Sequence, residues 1–447
     1  MYGKNNQDKD RRTEGMSRRQ WLHDAAVLTG GFGAAGLIQR TLAGQTFSPS
    51  QQSSNIVGGC EFFSPIRPVT GGPKFHWFSY YDKLQFDPSG RFLLGMEVDF
   101  EYRRPNADDV IKIGMIDLQN KDEWIELGQS RAWSWQQGCM LQWRPGSSSE
   151  ILWNDRQNSR FVCHILNVNT REKRTVEQPI YCVSPDGRIA MTLDYERIQD
   201  VRPGYGYCGI PDPNHDVLAP DNAGIYRLDL ETSKKDMVIS IAQVAGLGTI
   251  PEPDPLAKHY LHHLLFSPDG SRFIMLHRWL YPDGRLKTRM LTAKPDGSDI
   301  YMLDDNGLIS HFVWRDSRFI LSESKRQPHG FTLYVFEDKT SNVKVVNPAV
   351  FNHTGHCNYL PGGEWILNDT YPINNQITLF LYHIASQKML PLGKFYSPPE
   401  YKGEWRCDLH ARVSPDGRSI IIDSPHGGNG RQMYLLDISK ITEKSKT

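Results

Sequence analysis

The amino-acid sequence predicts an all-β fold, a seven-bladed β-propeller of four-stranded antiparallel blades, from two signals that repeat in step. The first is a turn signature between apolar runs: Asp87-Pro88-Ser89-Gly90, Arg144-Pro145-Gly146-Ser147, Ser184-Pro185-Asp186-Gly187, Ser267-Pro268-Asp269-Gly270, Trp314-Arg315-Asp316-Ser317, Leu360-Pro361-Gly362-Gly363 and Ser414-Pro415-Asp416-Gly417. Proline presets φ at the first central turn position and Gly or Asp tolerates the tighter conformations after it, so each copy reads as a hairpin tip. The second is a later apolar strand after each tip, such as Ile113–Asp117, Ile225–Asp229, Thr332–Phe336, Leu379–His383 and Gln432–Asp437. Short strands repeating at a period of roughly 40 to 55 residues mark a propeller, whose blades bury their faces only against one another.

Taken along the chain, the first 45 residues stand outside this pattern. Ser17-Arg18-Arg19-Gln20-Trp21-Leu22, the mildly apolar stretch Ala25 to Ile38 and the small residues Leu42-Ala43-Gly44 read as a cleaved twin-arginine export signal, with Met1 or Met16 as the start. The apolar stretch is too short and too rich in Gly for a membrane span. Export by this route delivers folded protein to the periplasm or beyond, so a metal can be loaded beforehand. Residues 46–447 read as one propeller domain with no membrane span, and the oligomeric state stays open. The Ser184 to Ser267 interval is the longest, and its Gly204-Tyr205-Gly206-Tyr207-Cys208-Gly209 stretch reads as an insertion across one end of the channel, at 203–221. Gln432–Asp437 is expected to close the ring beside residues 75–85.

Lys plus Arg equals Asp plus Glu at 51 each, so there is no bulk field to gather nucleic acid. Seven Cys without paired spacing do not form a disulfide framework and read as single buried thiols. No Gly-x-Ser-x-Gly, P-loop or dinucleotide fingerprint supports serine hydrolase, nucleotide or nicotinamide chemistry.

The inner strand of each blade lines the channel, so residues at one fixed distance before the tip occupy equivalent places around the axis. Four positions before each tip stand Lys83, Met140, Ile180, His263, Ser310, His356 and His410. Three are His, although His is only 15 of 447 residues. On regular strands all three point one way and converge on a divalent metal, with Cys407 or His311 as a fourth ligand. The alternative is that the rings only hydrogen-bond neighbouring blades. Further candidates are His277 and Arg278 on the strand after the blade 4 tip, and Tyr205 and Tyr207 in the insertion. The two tyrosines read equally as packing and as function, the aromatic cluster around His76 reads as a sugar platform or as the seam that closes the ring, and Asp369 and Asp423, beyond second strands, read as turn caps.

Gly355-His356-Cys357-Asn358-Tyr359-Leu360-Pro361, Glu364 to Pro372, and Arg406-Cys407-Asp408-Leu409-His410-Ala411-Arg412 resemble the last blades of oligogalacturonate lyase-like propellers. The seven-bladed ulvan lyases look similar across most of residues 46–447. The resemblance implies a metal, typically manganese, held by late-blade histidines and a Gln-x-x-His-x-His motif, and places His356 and His410 on ligand positions. Cys407 and Arg412 stand where that motif has Gln and the second His, so the metal (manganese, zinc or calcium) stays open.

The expected activity is cleavage of uronic-acid-containing oligo- or polysaccharides by metal-assisted β-elimination. Metal on His263, His356 and His410, helped by Arg278, neutralises the uronate; His311 or His277 is the base and Tyr207 the acid. A noncatalytic glycan- or protein-binding propeller and a metal-dependent hydrolase or isomerase are the competing expectations.

Overall fold

The computed structural model describes residues 59–248 and 255–444. They fold into seven antiparallel sheets, six of four strands and one of five, a seven-bladed propeller. The proposed export signal lies outside the described residues. No helix among them is long and apolar enough to cross a membrane.

The tips form as their chemistry dictates. The Ser184 hydroxyl donates to Asp186 Oδ1 at 2.6 Å and accepts the Ile189 N–H at 3.0 Å, while Gly187 N donates to Ser184 O. Gly187 has φ +72°, and a side chain there would collide with the Pro145 carbonyl. The Ser267 and Ser414 tips repeat the Ser-to-Asp bond at 2.6 and 2.5 Å. The degenerate Trp314 tip still closes, through Arg315 N to Phe319 O at 2.8 Å.

Blade 4 shows why the second strands run apolar without alternation. Its strands are Lys258–Phe266, Phe273–Leu280, Leu286–Ala293 and Tyr301–Gly307, and all of Phe273–Trp279 is buried, because neighbouring blades cover both faces. Fourth strands meet solvent: Lys235 to Met237, at the start of the outer blade 3 strand, are exposed. Blade 5 consists of Ile309–Trp314, Phe319–Arg326, Gly330–Glu337 and Val343–Val345. Blade 6 consists of Cys357–Tyr359, Trp365–Asp369, Gln376–His383 and Lys388–Tyr396, with Glu61–Phe62 as a fifth strand.

The ring closes beside residues 75–85 as expected, with a further partner that the sequence did not mark. Gln432–Asp437 takes the N-terminal strand Ile66–Pro68 as its outer partner, so the start of the described chain completes blade 7 around Arg412–Val413 and Ser419–Ser424. Residues 75–85 attach beside it through single bonds, including His76 N to Arg431 O at 2.9 Å. His76 itself bridges blades 1 and 7, with Nδ1 3.0 Å from Gln432 and Nε2 3.2 Å from Glu97.

The insertion between Leu193 and Gly224 opens with a short helix, Tyr195–Val201. Beyond it the chain reaches across one channel end: Gln136 N bonds to Gly204 O, and Arg406 Nη2 donates to the Tyr205 hydroxyl at 2.8 Å. The connections into each inner strand gather at this end, opposite the tips.

Candidate metal centre and catalytic site

Two of the three register histidines stand on kinked backbone. His263 and His410 have φ +51° and +43°, and Met140 at the same register has +56°. Non-glycine residues pay on the order of 1 kcal/mol or more for this left-handed conformation, and such strain concentrates at functional sites. In blade 4 the kink coincides with a register shift between His262 and Leu265.

His356 and His410 meet, their rings edge to face at 4.5 Å. The Nε2 atoms of both, and Asp408 Oδ1, are buried without a hydrogen-bond partner. One ligand atom from each of His356, Asp408 and His410 lies within 4.8 Å of the other two. Three such atoms left bare cost several kcal/mol together, which a bound cation offsets. Asp408 precedes His410 by two residues, and both side chains join the same group.

The surrounding groups set the imidazoles up as ligands. His356 Nδ1 lies 3.0 Å from Asp369 Oδ1, so the Nδ1 proton points at the carboxylate and the Nε2 lone pair faces the group. Asp369 also accepts the His356 N–H at 2.6 Å, and burial raises its pKa to about 7. Burial holds both imidazoles well below their usual pKa, and the neighbouring rings, His311 beside His356 and His356 beside His410, push the same way, so both take the neutral form that binds metal. Arg406 Nε donates to Asp408 Oδ2 at 2.8 Å, leaving Oδ1 free. Two imidazoles and a carboxylate fit manganese or zinc.

His263 and Cys407 stay outside this group. The ring of Tyr80 stands between the histidines, stacked on His263 at 5.3 Å and edge-on to His410 at 4.8 Å and His356 at 5.9 Å. His263 Nδ1 is occupied by Gln137 Nε2 and the Tyr181 hydroxyl, each at 3.2 Å. Cys407 adjoins Asp408 in the chain, and its thiol is buried among Arg431, Asp423 and Glu101 with its pKa raised by burial. Arg412 grips Asp423 with two bonds of 2.8 and 3.2 Å and donates to Gln85, a structural role.

Of the proposed bases, His311 reaches the site and His277 does not. The His311 ring lies 4.2 Å from that of His356. Its Nδ1 is 3.0 Å from Glu323 Oε2 and its Nε2 is 3.5 Å from the Tyr371 hydroxyl. Burial alone would lower the His311 pKa; the Glu323 carboxylate outweighs it and the net shift is upward. Glu323 is fixed in turn by Gly355 N at 2.6 Å and Thr354 Oγ1 at 3.3 Å. His277 has both nitrogens engaged inside blade 4: Arg289 Nε donates to Nδ1, and Nε2 meets His259 Nδ1, each at 2.9 Å.

Tyr207 also misses the site. It is fully buried, stacked on Tyr195 at 4.1 Å with Phe161 against its edge, and its hydroxyl accepts from Asn154 at 3.0 Å. Tyr205 is the one beside the histidines, 5.2 Å from His262 and 6.0 Å from His263. Burial opposes its ionisation, but Arg406 and Arg202 win and bring its pKa down to about 7. Arg278, paired with Tyr260 across the first two strands of blade 4, lies near His262 and His263 and does not join the His356 group. Sequence reasoning missed Asp408, Glu323, Tyr371 and Tyr80 as site residues and read Asp369 as a turn cap.

This fold has known counterparts. Oligogalacturonate lyase from Vibrio parahaemolyticus superposes with a TM-score of 0.60 at 15% identity, covering 85% of this chain and 96% of that one. An oligogalacturonate lyase in complex with manganese gives a TM-score of 0.62 at 14% identity, covering 84% and 93%. No family model matches the sequence, and no curated protein does. The chain is a seven-bladed propeller of oligogalacturonate lyase-like fold.

Proposed function

We propose that the chain is an exported lyase that cleaves uronic-acid-containing oligo- or polysaccharides by metal-assisted β-elimination. The observation that carries this reading is the convergence of the buried ligand groups of His356, Asp408 and His410, each with one polar atom left without a hydrogen-bond partner, next to the His311–Glu323 pair. The lyase likeness in fold, and manganese in one such structure, point the same way.

His356, Asp408 and His410 would hold the metal, which when bound neutralises the uronate carboxylate and so acidifies the C5 proton. His311 takes that proton on Nε2, while Glu323 holds the Nδ1 proton and stabilises the imidazolium. The C5–H electrons form the C4–C5 double bond and the C4–O4 bond breaks. The Tyr205 hydroxyl, made more acidic by Arg406 and Arg202, protonates the departing O4, and the same two arginines stabilise the phenolate left behind.

A screen of uronic polysaccharides with two readouts tests the reaction. A lyase produces the ultraviolet absorbance of an unsaturated uronate, lost on chelation; a hydrolase gives reducing ends without it, and a binder gives neither. Twin-arginine export rests on residues 17–44 and is tested by finding the protein outside the cytoplasm with its N-terminus beyond residue 44.

A further inference from the structure

A second set of unpartnered polar atoms lies on blade 4 and the insertion, across Tyr80 from the His356 group. Tyr260 and Arg278 are directly paired across antiparallel strands, so their side chains share a face, and His262 follows two residues after Tyr260 on that face. His277 and His259 take the opposite face, stacked on each other at 5.1 Å. Tyr260, His262 and Arg278 are 1%, 0% and 6% exposed. Tyr260 Oη, His262 Nδ1, Arg278 Nε and Arg202 Nε are all buried without a hydrogen-bond partner.

The two arginines approach the His262 ring from different elements. Arg202 enters from the insertion, its guanidinium 5.1 Å from the Tyr205 ring, which lies 5.2 Å from His262. Burial, then Arg278 and Arg202, depress the His262 pKa, so both charges lie near that ring. Among the described residues neither guanidinium has a carboxylate partner. Arg202 has only the Tyr205 phenol to offset its charge, and a buried guanidinium without a carboxylate is costly, so a bound anion lowers that cost for both.

We propose that Arg202, Tyr260 and Arg278 form an oxyanion site that takes a second negatively charged group, carboxylate or sulfate, of the glycan. Both guanidiniums and the phenol donate to the oxyanion. His262 Nε2 lies 3.3 Å from Gln137 Oε1 and so carries the ring proton, which leaves Nδ1 to accept from a neighbouring sugar hydroxyl. The Tyr80 ring stands between this site and His410, so one glycan that reaches both carries its two charges on different sugar residues. The anion chemistry stands on the geometry alone; only its assignment to the glycan rests on the lyase reading.

Calorimetric titration of chelator-treated protein with sodium sulfate and with sodium acetate, at fixed ionic strength, tests the site without any turnover. Saturable binding of at least one anion is expected, and the tighter of the two shows whether sulfate or carboxylate is the natural group. Arg278→Gln and, on a separate element, Arg202→Gln each weaken it roughly 10- to 100-fold, the loss of one charge-assisted hydrogen bond. Circular dichroism establishes that each variant is folded. Absence of saturable binding in the wild type, or equal affinity in both folded variants, overturns the proposal. A protein that binds the anion yet yields no unsaturated uronate would keep this site and refute the lyase reading instead.

Discussion

Asp369 holds His356 by the side chain and by the backbone, with Oδ1 3.0 Å from the ring Nδ1 and 2.6 Å from the amide nitrogen. One carboxylate therefore fixes the tautomer and the position of a ring whose Nε2 has no other partner. Asp369→Asn is expected to weaken metal binding roughly 10- to 100-fold, the usual cost of losing a carboxylate behind a ligating histidine. Metal titration of the chelated variant checks this; unchanged affinity would separate Asp369 from the site.

His311→Ala should keep the metal and lose turnover by roughly 10²- to 10⁴-fold, the contribution of a positioned general base. Glu323→Gln should lower kcat with metal content unchanged, because an amide no longer stabilises the imidazolium. Metal content and initial rates measured on the same preparations distinguish this from collapse of the ligand group.

The two insertion tyrosines should separate cleanly. Tyr205→Phe removes the proton donor to O4 and is expected to lower kcat with little change in melting temperature. Tyr207→Phe leaves the buried Asn154 amide short of a partner and should cost about 1 to 3 kcal/mol of stability while turnover persists. Denaturation curves and rates on both variants check the assignment.

Asp194 gives the chain a pH-dependent weakness away from the channel. Burial, then repulsion from Glu196, raises its pKa to about 7, although it accepts the Gly224 N–H at 2.8 Å. Below the unfolded pKa, near 4, the group is protonated in both states and costs nothing. As pH rises towards 7 the unfolded chain releases the proton first, so stability falls, and the loss is complete above pH 7. Asp194→Asn is expected to flatten this slope and to be the more stable protein at pH 8, by a few kcal/mol on the order of the shift. Chemical denaturation from pH 4 to 8 measures it.

The blade count was legible because the Ser-Pro-Asp-Gly tips carry their own chemistry in four residues, and even Trp314-Arg315-Asp316-Ser317 kept the spacing. The closing partner was not, because a sheet edge accepts any extended segment and Ile66–Pro68 has no pattern that marks it. Register found His356 and His410 but assumed regular strands, whereas His410 and His263 stand on kinked backbone with positive φ. It could not foresee that Tyr80, from a different blade, would split the three histidines. Asp408 was within reach, since an Asp two residues before a ligand histidine reaches the same place on an extended chain. Glu323 and Asp369 sit on second strands, and nothing local distinguishes either from a buried structural acid.

The proposed reaction depends on a metal held by His356, Asp408 and His410. Elemental analysis of wild type and His410→Ala after mild purification, paired with turnover, tests it most directly. Stoichiometric metal in the wild type, lost together with activity in a folded variant, is the expected result, because removing one of three protein ligands forfeits most of the site affinity. A metal-free wild type that is fully active in chelator, beside a variant that is merely destabilised, would contradict it.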